Sequence, residues 1–316
     1  MSTPPVLTPH YTDPHSYPAG VAWQDGQYIP VSEAKISVLD YGFLHSDATY
    51  DTVHVWDGAF FRLDDHIERF LSGIERLRMA LPVSIDDLRN ILHDCVALSG
   101  HRSAYVEMIC TRGWSPDFSR DPRKSSNRFL AFAVPYGSVA NDEQMKRGLH
   151  VRVTDVTRIP PSSVNPAIKN YHWLDLIGGL YQAYDQGAET ALLVDSDGNI
   201  AEGPGFNVFA VTDGALLTPE HGVLAGITRR TVLEIGREQG REVREGALSK
   251  EALCVADEVF VTSTAGGIMP VTRIDDAPVG DGKVGPVTRA VHQTYWDWHT
   301  DSRFADPVSY PGTATS

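Results

Sequence analysis

Residues 162–173 read Ser-Ser-Val-Asn-Pro-Ala-Ile-Lys-Asn-Tyr-His-Trp, with Lys169 near their centre. Pro166 biases Asn165 toward an extended conformation, so a helix is not expected to run through this point. Beyond it, Trp173, Ile177, Leu180 and Tyr184 recur at helical intervals and predict a helix over 172–186 with one apolar face. Lys169 therefore lies at a junction between an extended segment and a helix. A lysine held at such a junction and partly stripped of water gives up its proton more readily and can attack a carbonyl carbon, as Schiff-base lysines do. Taken alone, the stretch also reads as an ordinary surface lysine at a helix start.

Upstream, residues 1–20 combine prolines and hydroxyl side chains with little apolar periodicity, which predicts an arm ahead of the folded part. Short extended stretches over 20–40 lead to a hairpin over 49–61 that turns at Asp57-Gly58. Ile67, Phe70, Leu71, Ile74, Leu77 and Leu81 fall at helical spacing behind Asp64-Asp65, whose charges suit a helix N-terminus, and predict a helix over 64–81. A helix over 85–98 stopping at Gly100 and strands over 103–112 and 128–134 follow. The stretch 136–147 loses periodicity and reads as a linker. Downstream come a strand over 150–156, hairpins turning at Ser196-Asp-Gly and Asp213-Gly, a strand over 258–262, and helices over 229–239 and after Pro286. The expected fold is α+β, or mixed α/β, with an arm 1–20, a smaller N-terminal domain 21–135, the linker 136–147 and a larger C-terminal domain 148–316.

Composition narrows the function. Twenty-seven basic against 41 acidic residues give a net charge of −14, which repels phosphate backbones and anionic lipid and leaves a small molecule as the expected partner, with no nucleic acid and no membrane. Cys95, Cys110 and Cys254 are odd in number and show no CxxC spacing, so neither a disulfide scaffold nor structural zinc is expected. Without an apolar leader or an 18-residue apolar run, the expected location is the reducing cytoplasm.

Other residues invite chemistry. Glu202, in Ala-Glu-Gly-Pro-Gly-Phe-Asn, is a carboxylate bracketed by glycines in an apolar, strand-like run, and a buried carboxylate needs a cationic partner such as a protonated ring nitrogen. Its local alternative is a turn acid. Gly226-Ile-Thr228 opens a helix with free backbone N–H groups, and Ser263-Thr264-Ala-Gly-Gly267 follows a strand; both could hold a phosphate, although each is also an ordinary cap or turn. Arg69 lies opposite its helix's apolar stripe, so periodicity places it in solvent beside Asp65. Asp64-Asp65-His66 do not share a helix face, and no metal site is expected.

Taken in order, Arg69, Lys169, Glu202, Gly226-Ile-Thr228 and Ser263-Thr264 resemble the fold-type IV pyridoxal-phosphate enzymes. His45-Ser-Asp-Ala-Thr-Tyr-Asp51, Phe61-Arg-Leu-Asp-Asp-His-Ile67 and Thr264-Ala-Gly-Gly-Ile-Met-Pro270 are most similar to the (R)-selective amine transaminases. The resemblance covers about 21–298. It implies pyridoxal 5′-phosphate (PLP) bound to Lys169 as a Schiff base, Glu202 on the ring nitrogen, and Arg69, Ile227, Thr228 and Thr264 on the phosphate. It implies a substrate pocket of His45, Tyr50, Thr52, Tyr105, Glu107 and Trp173, with Arg120, or next Arg123, taking a keto acid carboxylate. A homodimer with shared sites is implied, as is ping-pong transfer from an (R)-amine to a small 2-keto acid such as pyruvate. D-amino-acid or branched-chain amino-acid transamination is the alternative within the fold, and a non-catalytic phosphometabolite-binding protein the alternative outside it.

Overall fold

The computed structural model describes residues 17–311, so all of the predicted arm except 17–20 lies outside the described residues. The chain makes two compact units: one of 17–137, 168–171 and 301–311, the other of 138–167 and 172–300.

The first unit contains β1 (Val21–Gln24), β2 (Gln27–Pro30), α1 (Tyr41–His45), β3 (Ala48–Trp56), β4 (Ala59–Phe61), α2 (Leu63–Arg76), α3 (Ile85–Ser99), β5 (Ala104–Trp114) and β6 (Ser126–Pro135). Its antiparallel sheet runs from the C-terminal strand Ala305–Pro307 through β4, β3, β5, β6 and β1 to β2. Strand side chains alternate between faces, and β3 uses both. Val53 and Val55 enter a core with Phe70, Ile74, Leu88, Ile91, Val106 and Met108. On the opposite face stand Tyr50, Thr52 and His54, in register with Ile109, Glu107 and Tyr105 of β5.

The predicted α2 is five residues too long. It stops at Arg76 because Arg78 turns left-handed at φ 52° and Arg112 of β5 reaches across to take the carbonyls of Leu77 at 2.7 Å and Arg78 at 3.3 Å. Leu81 still packs against the core, which is why its spacing resembled more helix. For α3, Ser84 caps the Asp87 N–H and Gly100 closes the other end.

The second unit contains α4 (Asp142–Arg147), β7 (Leu149–Thr157), α5 (Leu174–Asp185), β8 (Thr190–Val194), β9 (Asn207–Thr212), β10 (Ala215–Thr218), α6 (Ile227–Glu238), β11 (Val243–Glu245), α7 (Lys250–Cys254), β12 (Glu258–Ser263), β13 (Gly267–Ile274), β14 (Ala277–Pro278) and α8 (Pro286–Asp297). Its mixed sheet runs β11-β10-β9-β12-β13-β7-β8, with β14 beside β13. Both units follow the expected α+β pattern.

Two local readings need correcting. Half of the stretch read as linker is α4, opened by a reciprocal capping box between Asn141 and Gln144. In α5 the buried face is Leu176, Gly179 and Ala183, whereas Ile177, Tyr181 and Tyr184 are exposed. This helix lies so close to its sheet that a Cβ on Gly179 would come within 2.7 Å of Leu193. Small residues, not large ones, mark its inner side.

No helix among the described residues is long and apolar enough to cross a membrane.

Candidate active site

In the first unit, the pairing of β3 with β5 brings Tyr50, Thr52, Tyr105 and Glu107 together on one face. The segment 168–171 lies against the start of β3: the Lys169 carbonyl accepts the Tyr50 N–H at 3.1 Å and the Thr49 hydroxyl at 2.9 Å. This fixes the backbone of Lys169 and sets its Nζ 4.5 Å from the centre of the Tyr50 ring. Lys169 is half-buried, not a solvated surface residue.

Two residues on in extended chain, Tyr171 turns to the same side and stacks on Tyr50 with ring centres 4.4 Å apart. Its hydroxyl donates to Glu107 at 2.9 Å, and Tyr105 donates to the other oxygen at 3.1 Å. Thr52 Oγ1 lies 3.2 Å from the Tyr105 hydroxyl. Burial pushes the Glu107 carboxyl above its ordinary value, and the two phenols and Lys169 only partly offset this. Burial, with Glu107 beside them, also raises both tyrosines, so they remain neutral donors. Sequence reasoning missed Tyr171; period-two alternation with Lys169 was the available signal.

Behind the same strand, Asp51 is wholly buried and accepts Arg69 Nε at 2.7 Å and Nη2 at 2.9 Å. It also accepts His66 Nδ1 and the Thr52 N–H, both at 2.8 Å. Arg69 is therefore not solvent-facing but paired with Asp51, and Asp65 binds Arg62. Burial pushes Asp51 up, but Arg69 and His66 outweigh it and hold the carboxyl well below the usual range. Burial lowers His66, so it is a neutral donor here. No group of three or more His, Cys, Asp or Glu among the described residues is arranged to hold a metal.

Two other expected pocket residues lie at the surface of this unit. His45 is exposed at the end of α1, its ring 4.8 Å from that of Tyr41. Arg120 is exposed and makes no ion pair among the described residues, whereas Arg123 is held by Asp121 at 2.7 and 2.8 Å. Of the two arginines, only Arg120 has its guanidinium uncommitted.

In the second unit, Glu202 is buried and accepts Arg158 Nε at 3.0 Å and the Leu224 N–H at 3.0 Å. Arg158 also binds Asp175 at 2.6 Å, and its guanidinium stays charged because these two carboxylates outweigh its burial. Arg158 carries no local sequence signal.

Leu224 begins the approach to α6. Asn207 binds the Leu224 carbonyl at 2.9 Å, and a Cβ on Gly226 would come within 2.2 Å of Asn207 Oδ1, so only glycine fits there. No side chain caps α6, whose first residues, Ile227 and Thr228, are buried. Thr262, in register with Asn207 and so on the same sheet face, is 2% exposed with its hydroxyl unpartnered. Thr264 follows at the β12–β13 turn, whereas Ser263 spends its hydroxyl on the Gly205 carbonyl. Trp173 precedes α5, 3.4 Å from the position of a Cβ on Gly205.

The first unit thus supplies a half-buried amine, and the second a buried acid with fixed partners, an uncapped helix end and an orphaned buried hydroxyl. The amine of the first unit suits an aldehyde, and the acid and helix end of the second suit a basic ring nitrogen and a phosphate.

The profile of the family Amino-transferase class IV matches residues 48–274. The branched-chain-amino-acid aminotransferase of Escherichia coli K12 is 30% identical over 291 residues, 89% of this chain and 94% of that protein. The D-alanine aminotransferase of Staphylococcus haemolyticus is 28% identical over 274 residues, 86% of this chain and 95% of that protein. Among solved structures, the branched-chain amino acid aminotransferase from Thermobaculum terrenum in its PLP form superposes with a TM-score of 0.83 at 26% identity, covering 93% of this chain and 100% of that one. The chain belongs to the class IV aminotransferases and has the type IV fold.

Proposed function

We propose that this class IV aminotransferase exchanges the amino group of an apolar amino acid with a 2-keto acid, as a branched-chain or D-amino-acid enzyme. The observation that carries the reading is near full-length similarity to proteins of both names. The cofactor is pyridoxal 5′-phosphate, whose bound ring takes up the negative charge left when the substrate carbon loses a proton.

Lys169 would hold the cofactor through its aldehyde and, once the donor amine has displaced it, would carry the proton to and from the substrate carbon, with its backbone clamped to β3. Glu202, paired with Arg158, would hold the proton on the ring nitrogen. Arg69, Ile227, Thr228 and Thr264 hold the phosphate. Tyr50, Thr52, Tyr105, Glu107, Trp173 and His45 bound the substrate, and Arg120 takes a carboxylate. The working form is a homodimer in the cytoplasm, a location consistent with three cysteines that form no disulfide.

A second reading, transfer from an (R)-amine to pyruvate, is favoured by Glu107. The hydroxyls of Tyr105 and Tyr171 are committed to Glu107. Of the three phenols on this wall, a donor's carboxylate meets just the Tyr50 hydroxyl without such a commitment, while a donor bearing only apolar groups loses nothing.

The test offers the purified holoenzyme (R)- and (S)-1-phenylethylamine, D-alanine and L-leucine with matching keto acid acceptors. Preference for L-leucine or D-alanine supports the first reading and fixes its hand. Preference for (R)-1-phenylethylamine replaces it with the second, and no transfer from any of the four overturns both.

A further inference from the structure

We infer that Tyr41 is a positioning residue, latching the peptide that carries the Arg120 N–H so that the arginine meets a keto acid from a fixed backbone. The inference rests on the carboxylate-binding role proposed for Arg120.

Tyr41 opens α1, and the residue ahead of it is anchored to the sheet. Asp40 is wholly buried, caps the helix by accepting the Gly42 N–H at 2.7 Å, and accepts the Thr111 hydroxyl of β5 at 2.8 Å. Tyr41 itself is 3% exposed, and its hydroxyl donates to the Ser119 carbonyl, 78 residues along the chain, at 2.6 Å. That carbonyl and the Arg120 N–H belong to one planar peptide, so a bond that fixes the first also fixes the second. On the other side of Arg120, the Asp121 N–H donates to the Ser119 hydroxyl at 3.2 Å, and Asp121 in turn holds Arg123. Both peptides flanking Arg120 are tied down.

The loop between β5 and β6 shows what the latch restrains. Phe118 turns left-handed at φ 52°, a conformation that bulky residues rarely adopt, and its ring meets that of Tyr41 edge-on with centres 6.3 Å apart. Such a turn persists where its surroundings hold it. Asp117 accepts the Ser119 N–H at 3.2 Å and Lys124 at 3.0 Å, but these contacts are exposed, and water competes for them. Tyr41 holds the loop from a buried ring on a helix that is itself fastened to β5. Arg120 keeps an exposed, flexible side chain, so the mount is fixed and the guanidinium moves. A fixed mount lowers the entropy lost when the guanidinium closes on a carboxylate, and an acceptor without a charge gains nothing from it.

The experiment takes the holoenzyme in its aminated form and reads, by single-turnover absorbance, its half-reaction with pyruvate and with pyruvamide, which has the same keto group but no charge. Wild type, Tyr41→Phe, Arg120→Ala and the double variant are compared, and each fold is checked by thermal melting. Arg120→Ala should raise the KM for pyruvate several-fold more than the KM for pyruvamide. Tyr41→Phe should raise the pyruvate KM about threefold, the size of one neutral hydrogen bond, with kcat and the pyruvamide KM less affected, and should add nothing once Arg120 is replaced. If Arg120→Ala affects both acceptors equally, the carboxylate role falls, and this inference with it. If Arg120→Ala discriminates and Tyr41→Phe does not, or if Tyr41→Phe raises the pyruvate KM further in the double variant, only the positioning role falls. Should Tyr41→Phe fail to fold, Tyr41→Met removes the same hydroxyl, and the same comparison decides the matter: selective loss of pyruvate supports the role, and equal effects on the two acceptors overturn it.

Discussion

Glu107 of the first unit and Glu202 of the second are the same residue type at 8% and 6% exposure, yet they are held in opposite ways. Glu202 has a guanidinium and a backbone N–H, and that guanidinium is itself steadied by Asp175. Glu107 has two neutral phenols, which donate to a carboxylate but cannot balance its charge, so burial wins and its proton is held more tightly. Burial thus sets the cost, and the partner decides whether the charge of a buried acid is balanced.

The comparison can be broken in several places. The largest effect belongs to the residue beside Glu107: Lys169→Ala should lower turnover by at least ~10³-fold while the phosphate contacts still retain cofactor. Single-turnover absorbance of the loaded protein checks this, and substantial remaining turnover would remove Lys169 from its role. Next, Glu202→Gln should reduce kcat by roughly 10²-fold or more by removing the fixed negative charge. Glu107→Gln, a change of the same size, should leave kcat within about tenfold. If the two variants lose activity equally, the contrast between the acids has no functional meaning.

Removing the cation tests the same contrast through stability. Arg158→Met leaves Glu202 and Asp175 buried without their counter-charge and should cost about 3 kcal/mol, read by denaturant unfolding. Loss of Glu107 should act through pH instead. Because folding raises its pKa above the ordinary 4.5, the native state binds more protons than the unfolded chain, and stability falls as the pH climbs from that value toward the raised one. Glu107→Gln should therefore melt increasingly above wild type as the pH rises from 4.5, with no gain below it. A constant difference across pH would contradict the assignment. The smallest effect lies on the loop: Arg120→Ala should weaken keto acid acceptance several-fold more than amine oxidation, whereas Arg123→Ala, whose guanidinium Asp121 already occupies, should change neither.

Much of this was legible in advance, and particular residues show why. The Asp57-Gly58 hairpin, α3 and the start of α2 rest on periods and caps, which are local rules, and appear where those rules put them. α4 was legible too: the Asn141 and Gln144 spacing is a capping-box signature inside a stretch that composition marked as linker. The inner face of α5 was not, because a close-packed helix hides behind Gly179 and Ala183, and a search for large apolar residues selects the wrong side.

The candidate site divides along the same line. By itself the sequence determined that Lys169, Glu202 and the Gly226 helix end exist with the chemistry an aminotransferase needs, since reactive groups and helix starts are written in residue types and short spacings. Only the tertiary structure decided their partners: Asp51 lies 18 residues from Arg69, Arg158 lies 44 from Glu202, and Glu107 lies 64 from Tyr171. Those pairings are set by strand register and helix packing, which add up over the whole sheet, so no local pattern could have announced them.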